Sequence, residues 1–78
     1  SMTYKLLIRN KTYPGNWEVC VIDSDNIEDM TYDKCSWCWR YLVYDNDVNP
    51  KMLRIVKNDF DFSIFNPPIE IVDGIDPE

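Results

Sequence analysis

Cys35-Ser36-Trp37-Cys38 is the one short run in this sequence whose spacing has a chemistry attached to it. Two thiols three residues apart can work as a redox pair, the first with its pKa lowered so that it attacks a disulfide. They can also supply half of a zinc site. A redox pair of this kind opens a helix that follows a strand, whereas a strand-like alternation follows Cys38 directly. A structural zinc site wants four Cys or His ligands, and the chain has three cysteines, no histidine, and Cys20 far away in sequence. An Asp beside Cys20 could complete a site, or two chains could share one. Reduced, metal-free packing thiols are the expectation, with a zinc- or thiol-dependent module built on Cys35 and Cys38 as the alternative.

Asp45-x-Asp47-x-Asn49 begins like a calcium-binding loop. The sixth place, which should be Gly, is Pro50, and the twelfth, which should be Glu, is Val56, so an Asx-rich turn accounts for these residues. Without histidine the chain has no ready acid or base at neutral pH. Ser24, Ser36 and Ser63 have no nucleophile-elbow context, and Gly15 and Gly74 alone cannot build a phosphate loop. Asp59 and Asp61 could pair as acid and base, but on an alternating strand they would face solvent together. Neither an enzyme nor a bound cofactor is expected.

The residues that remain suit recognition. Cys35 to Tyr44 holds two of the three tryptophans and two of the five tyrosines. Trp37, Trp39, Arg40 and Tyr44 are therefore the candidate partner-binding residues, because Trp, Tyr and Arg dominate interface centres. Charge adds a second group. Residues 1–57 balance eight acids against eight bases, while residues 58–78 carry Asp59, Asp61, Glu70, Asp73, Asp76 and Glu78 with no base. The whole net charge of −6 thus resides in the last part of the chain. Such a surface repels nucleic acid and attracts a basic protein surface. A purely solubilising role for these acids carries comparable weight.

Five strands are expected to position these groups. Tyr4, Leu6 and Ile8 alternate with Lys5, Leu7 and Arg9 as a first strand. Pro14-Gly15 suits a type II turn, and Trp17, Val19 and Val21 begin a second strand that completes a hairpin. Ser24 to Lys34 reads as a short helix capped by Ser24 or Asp25, with an acidic loop as the alternative. From Cys38 to Tyr44 alternation predicts a strand with Trp39, Tyr41 and Val43 inward, paired through an Asx-rich turn with Met52 to Lys57. Phe60, Phe62 and Ile64 make a fifth strand, Pro67-Pro68 ends it, and Ile69 and Ile71 could form a short edge strand. The predicted core face joins Trp39, Tyr41 and Val43 to Leu6, Ile8, Val19, Val21, Leu53, Ile55, Phe62 and Ile64.

The composition agrees with strands: six valines, eight isoleucines and three threonines, and no alanine. The expected fold is mainly β (β-rich α+β), a single small antiparallel meander sheet or half-open barrel of about five strands with at most one short helix. Residues 1–72 form the domain and residues 73–78 an acidic tail. No apolar run reaches the ~18 residues a membrane span needs, and no signal-peptide layout is present, so a cytoplasmic protein is expected. Residue usage biased to AT-rich codons points to the genome of a low-GC bacterium, a parasite or a phage, and a stand-alone domain this small fits the last most easily. The functional expectation is a small acidic, non-enzymatic protein-binding module, a phage accessory protein that inhibits or modulates a host protein. Its partner is another protein with a basic surface, with neither nucleic acid nor membrane bound directly and self-association open. A small-ligand binder that stacks a ring on Trp37, Trp39 or Tyr41 is the remaining alternative.

Overall fold

Alternation along the first strand is what builds the sheet. In the computed structural model, which describes residues 2–10 and 16–65, β1 (Tyr4–Arg9) lies between β2 (Trp17–Val19) and β5 (Leu53–Lys57), both antiparallel to it. Leu7 stands opposite Val19, and Leu6 opposite Ile55. The expected hairpin between the first two strands forms, and Asn10 N–H donates to the Asn16 carbonyl at 2.6 Å at its neck. Its turn at Pro14-Gly15 lies outside the described residues.

A second antiparallel pair, β3 (Val21–Ile22) and β4 (Asp25–Asn26), adjoins β1. Asp23 and Ser24 join these strands with φ of 50° and 68°, the two left-handed residues that a type I′ turn requires. The fold is accordingly β-rich: among the described residues there are five strands in two antiparallel sheets, one helix and no closed barrel. Ser24 and Asp25 therefore turn a hairpin and do not cap a helix.

The helix starts later and runs further than expected. Thr31 is its cap, Oγ1 accepting from the Lys34 N–H at 3.1 Å, and α1 (Tyr32–Arg40) continues into a π-helical turn over Tyr41–Asp45. Asp33 in the first turn and Arg40 in the last suit the helix dipole. This corrects the strand expected over Cys38 to Tyr44 and the hairpin expected with Met52 to Lys57, since β5 pairs with β1. The physical reason is legible afterwards. Tyr32 to Leu42 contains no Val, Ile or Thr, and Cys35, Cys38 and Leu42 fall at i, i+3 and i+7, a helical stripe.

That stripe completes the core. Cys35 and Cys38 pack with Leu6, Cys20, Ile27 and Leu53, so half of this buried cluster is thiol. Leu6 is also its backbone hub, donating to the Ile27 carbonyl and accepting from the Cys20 N–H, each at 2.8 Å. Leu7, fully buried, faces the other way, where Phe60 to Phe65 forms a third layer. Lys5 Nζ donates to the Phe60 carbonyl at 3.0 Å and lies 5.0 Å from the Phe62 ring centre, and Trp17 meets Phe65 at 5.5 Å. The strand expected over Phe60 to Ile64 is instead a 3₁₀ turn, Phe62–Ile64, because the Asp61 carboxylate accepts from the Ser63 N–H at 3.0 Å and caps it.

Among the predicted core residues, Leu6 and Leu53 are buried, while Ile8, Val19, Trp39, Tyr41, Val43, Ile55 and Phe62 are half-buried. Val21 and Ile64 are exposed, at 56% and 73%, and correct the expectation for both. Pro67-Pro68, Ile69, Ile71 and the boundary at residue 72 lie outside the described residues.

Candidate protein-docking face

With Cys35, Cys38 and Leu42 turned inward, the helix geometry forces the opposite stripe into solvent. Lys34, Trp37, Tyr41 and Tyr44 follow one another at three- and four-residue steps along that side. Trp37 is 55% exposed and Tyr44 73%. The Trp37 and Tyr41 rings are stacked, 5.8 Å between centres and 4° from parallel, and Lys34 Nζ lies 5.0 Å from the Trp37 ring centre. Together with Arg40 and Asp45, Trp37, Tyr41 and Tyr44 line an open hollow of about 310 Å³.

The π-helical turn sets the far wall of this hollow. Inserting the wider turn shifts Tyr44 relative to an unbroken α-helix, and such turns are common at functional sites. Asn46 Nδ2 donates to the Tyr41 carbonyl at 3.1 Å, and Val48 N–H donates to the Leu42 carbonyl at 3.0 Å. Both bonds fasten carbonyls that the helix end would leave open. Tyr44 also meets Trp39 edge-on, 6.1 Å between ring centres and 86° apart.

Of the residues predicted from sequence, Trp37, Arg40 and Tyr44 come together at this hollow. Tyr41, placed by alternation in the core, belongs here too; its position four residues after Trp37 was the signal, once the segment is helical. Trp39 instead lines a separate groove with Tyr32, Ser36, Leu53, Arg54 and Ile55. Asp59 borders a third hollow with Met2, Thr3, Lys57 and Asn58. Asp61 is used in its turn: hydrogen bonds from the Ser63 side chain and backbone hold its carboxyl below the ordinary value. The pairing of Asp59 and Asp61 on one strand face does not arise, because no strand forms there. Glu70, Asp73, Asp76 and Glu78 lie outside the described residues.

The thiols are placed for packing. Cys20, Cys35 and Cys38 are all free and buried, and burial raises the pKa of each. At Cys20 the neighbouring Cys38 and Glu18 push further in the same direction, and at Cys38 Lys34 pulls partly back. Helical context, which the sequence reading denied to Cys35 and Cys38, is therefore present, but their pKa values move away from what a nucleophilic thiol needs. Among the described residues, no three Cys, Asp or Glu side chains are grouped so as to hold a metal ion. Nor is any described helix long and apolar enough to cross a membrane.

What the outer face of α1 offers chemically is recognition: stacked π surfaces, a guanidinium and a phenol around a shallow hollow. Comparison with protein families, curated proteins and solved structures finds no match to this chain.

Proposed function

We propose that the protein is a small acidic, non-enzymatic protein-binding module that docks on a partner protein through Trp37, Arg40, Tyr41 and Tyr44. The observation that carries this reading is the stack of exposed Trp37 on half-buried Tyr41, beside Arg40 and the exposed Tyr44. Large aromatics that serve only the fold are normally turned inward; here the thiols take the buried core while Trp37 and Tyr44 stand exposed. Trp, Tyr and Arg give most affinity per residue when a partner excludes water from them. Lys34 and Arg40 beside the rings would meet acidic or π groups of that partner, and Asp45 a basic one.

The acidic residues Asp59, Asp61, Glu70, Asp73, Asp76 and Glu78 act in this reading through encounter, drawing a basic partner surface within the ~8 Å screening length at physiological salt. Residue usage biased to AT-rich codons supports a bacteriophage source, and the target in this reading is a protein of its host. The test is paired capture from a lysate of that host, with the natural protein and a Trp37→Ala/Tyr44→Ala variant as baits. A protein retained by the first and lost by the second supports the reading. Identical retention on both baits would move the docking surface elsewhere.

A further inference from the structure

Leu6 turns both backbone groups away from β5, toward Ile27 and Cys20. Ile55, which stands opposite Leu6, is therefore in a non-hydrogen-bonded pair, and its N–H and C=O both point outward from the sheet edge. The neighbouring groups on that edge are engaged. Leu53 N–H donates to the Pro50 carbonyl, the Leu53 carbonyl accepts from the Arg54 guanidinium at 2.7 Å, and the Lys57 carbonyl accepts from the Phe60 N–H at 2.9 Å. Ile55 alone on this strand presents a donor and an acceptor together with no partner among the described residues. An incoming strand residue would exchange both bonds with it.

Beside this edge runs a side-chain groove. Tyr32, Ser36 and Trp39, at i, i+4 and i+7 on α1, face Leu53, Arg54 and Ile55 across a hollow of about 400 Å³. The small Ser36 between two rings leaves room for one apolar side chain. Both walls are braced, Tyr32 by an edge-on contact with Tyr4 at 5.4 Å and Trp39 by Tyr44. Charge then selects the occupant. Lys51 to Lys57 carries three cations and no acid. Lys51 and Lys57 are exposed at the ends, while Arg54 lies over Trp17 at 5.2 Å. Two copies of this run laid edge to edge would gather six cations, the usual device against self-pairing, whereas an acidic strand would be attracted.

We infer that the β5 edge and α1 form a strand-addition groove for an extended acidic segment of a partner protein. Its backbone bonds to Ile55 and one apolar side chain sits over Ser36 between Tyr32 and Trp39. This surface is distinct from the Trp37 hollow and does not depend on it.

The probe is a capped heptapeptide alternating glutamate and isoleucine, added to the full chain while amide hydrogen exchange is followed by NMR. Exchange at the Ile55 amide should slow by about tenfold or more at saturation. Methylating the peptide's backbone nitrogens at alternate positions should weaken binding by about tenfold in one phase and leave it unchanged in the other, without touching the protein. A lysine–isoleucine peptide should bind at least about tenfold more weakly. Ser36→Trp should abolish binding, and Trp37→Ala should leave it intact. An Ile55 amide indifferent to the peptide, or equal binding of the lysine peptide, overturns the inference. So does an Ile55 amide already as protected as that of Leu7 in the free chain. If concentration-independent, that protection means the chain covers its own edge; if concentration-dependent, a second copy does.

Discussion

Replacing Leu6 by Ala should come close to unfolding the protein, while the same truncation at Val21 should hardly be felt. Leu6 is fully buried at the centre of the middle strand and packs within the cluster of Cys20, Ile27, Cys35, Cys38 and Leu53. None of those neighbours can refill the space without dragging a strand or the helix, so the cost should lie in the upper part of the usual range, about 3–5 kcal/mol. A chain of 78 residues has roughly 4–12 kcal/mol of stability in total. At about 4–8 °C per kcal/mol, Tm should fall by at least ~12 °C. Val21 is 56% exposed on a two-residue strand, and its truncation should stay within about 0.5 kcal/mol. Urea unfolding followed by circular dichroism measures both. A Leu6→Ala cost below about 1 kcal/mol together with a Val21→Ala cost above about 2 kcal/mol would mean that the core is assigned to the wrong face.

Removing the helix cap by Thr31→Ala should cost about 1 kcal/mol in the same assay, and Thr31→Asp should restore most of it. The three thiols should resist a disulfide reagent at pH 8 until the protein unfolds, and then all react. Because their folded pKa values are raised, the folded state holds its thiol protons more tightly than the unfolded state. Stability from this source is fully present below the unfolded cysteine pKa and is lost as pH rises through the folded values, so urea midpoints should fall on going from about pH 8 to pH 10. With a partner in hand, converting Asp73, Asp76 and Glu78 to Asn or Gln should slow association and flatten its salt dependence while leaving dissociation unchanged, as stopped-flow mixing across a salt series would report.

The antiparallel pairing and the first hairpin were legible because side chains alternate along β1, β2 and β5. The count of five agrees as well, but β3 and β4 stand in place of the strands expected over Cys38 to Tyr44 and Phe60 to Ile64. The helix was not legible. Trp39, Tyr41 and Val43 alternate as a strand does, and that period-2 signal in large apolar side chains outweighed the 3.6-residue stripe of Cys35, Cys38 and Leu42, two small thiols and one leucine. Asp23-Ser24 imitated a helix start because the residues that cap helices are the same ones that tolerate a left-handed turn. Candidate recognition residues were chosen by type, and Trp37, Arg40 and Tyr44 do converge. Tyr41 was left out of the partner-binding set because its face depends on the period. Trp39 packs half-buried against the core, as alternation had it, and only tertiary packing reveals the groove it lines beside β5.

The central claim, that the outer face of α1 is the docking surface, is tested most directly by the dissociation rate of the captured partner from a Trp37→Ala variant. Truncation removes the stack on Tyr41 and the contact with Lys34, each worth about 0.5–1.5 kcal/mol at a half-exposed site, so the free protein should remain folded. In a complex that buries the ring, the loss should reach at least about 2 kcal/mol, which is roughly a thirtyfold faster dissociation. Surface plasmon resonance at physiological salt reads this number. A thirtyfold faster off-rate with an unchanged circular dichroism spectrum is the predicted result; an off-rate unchanged within twofold at Trp37→Ala and at Tyr44→Ala would contradict the account.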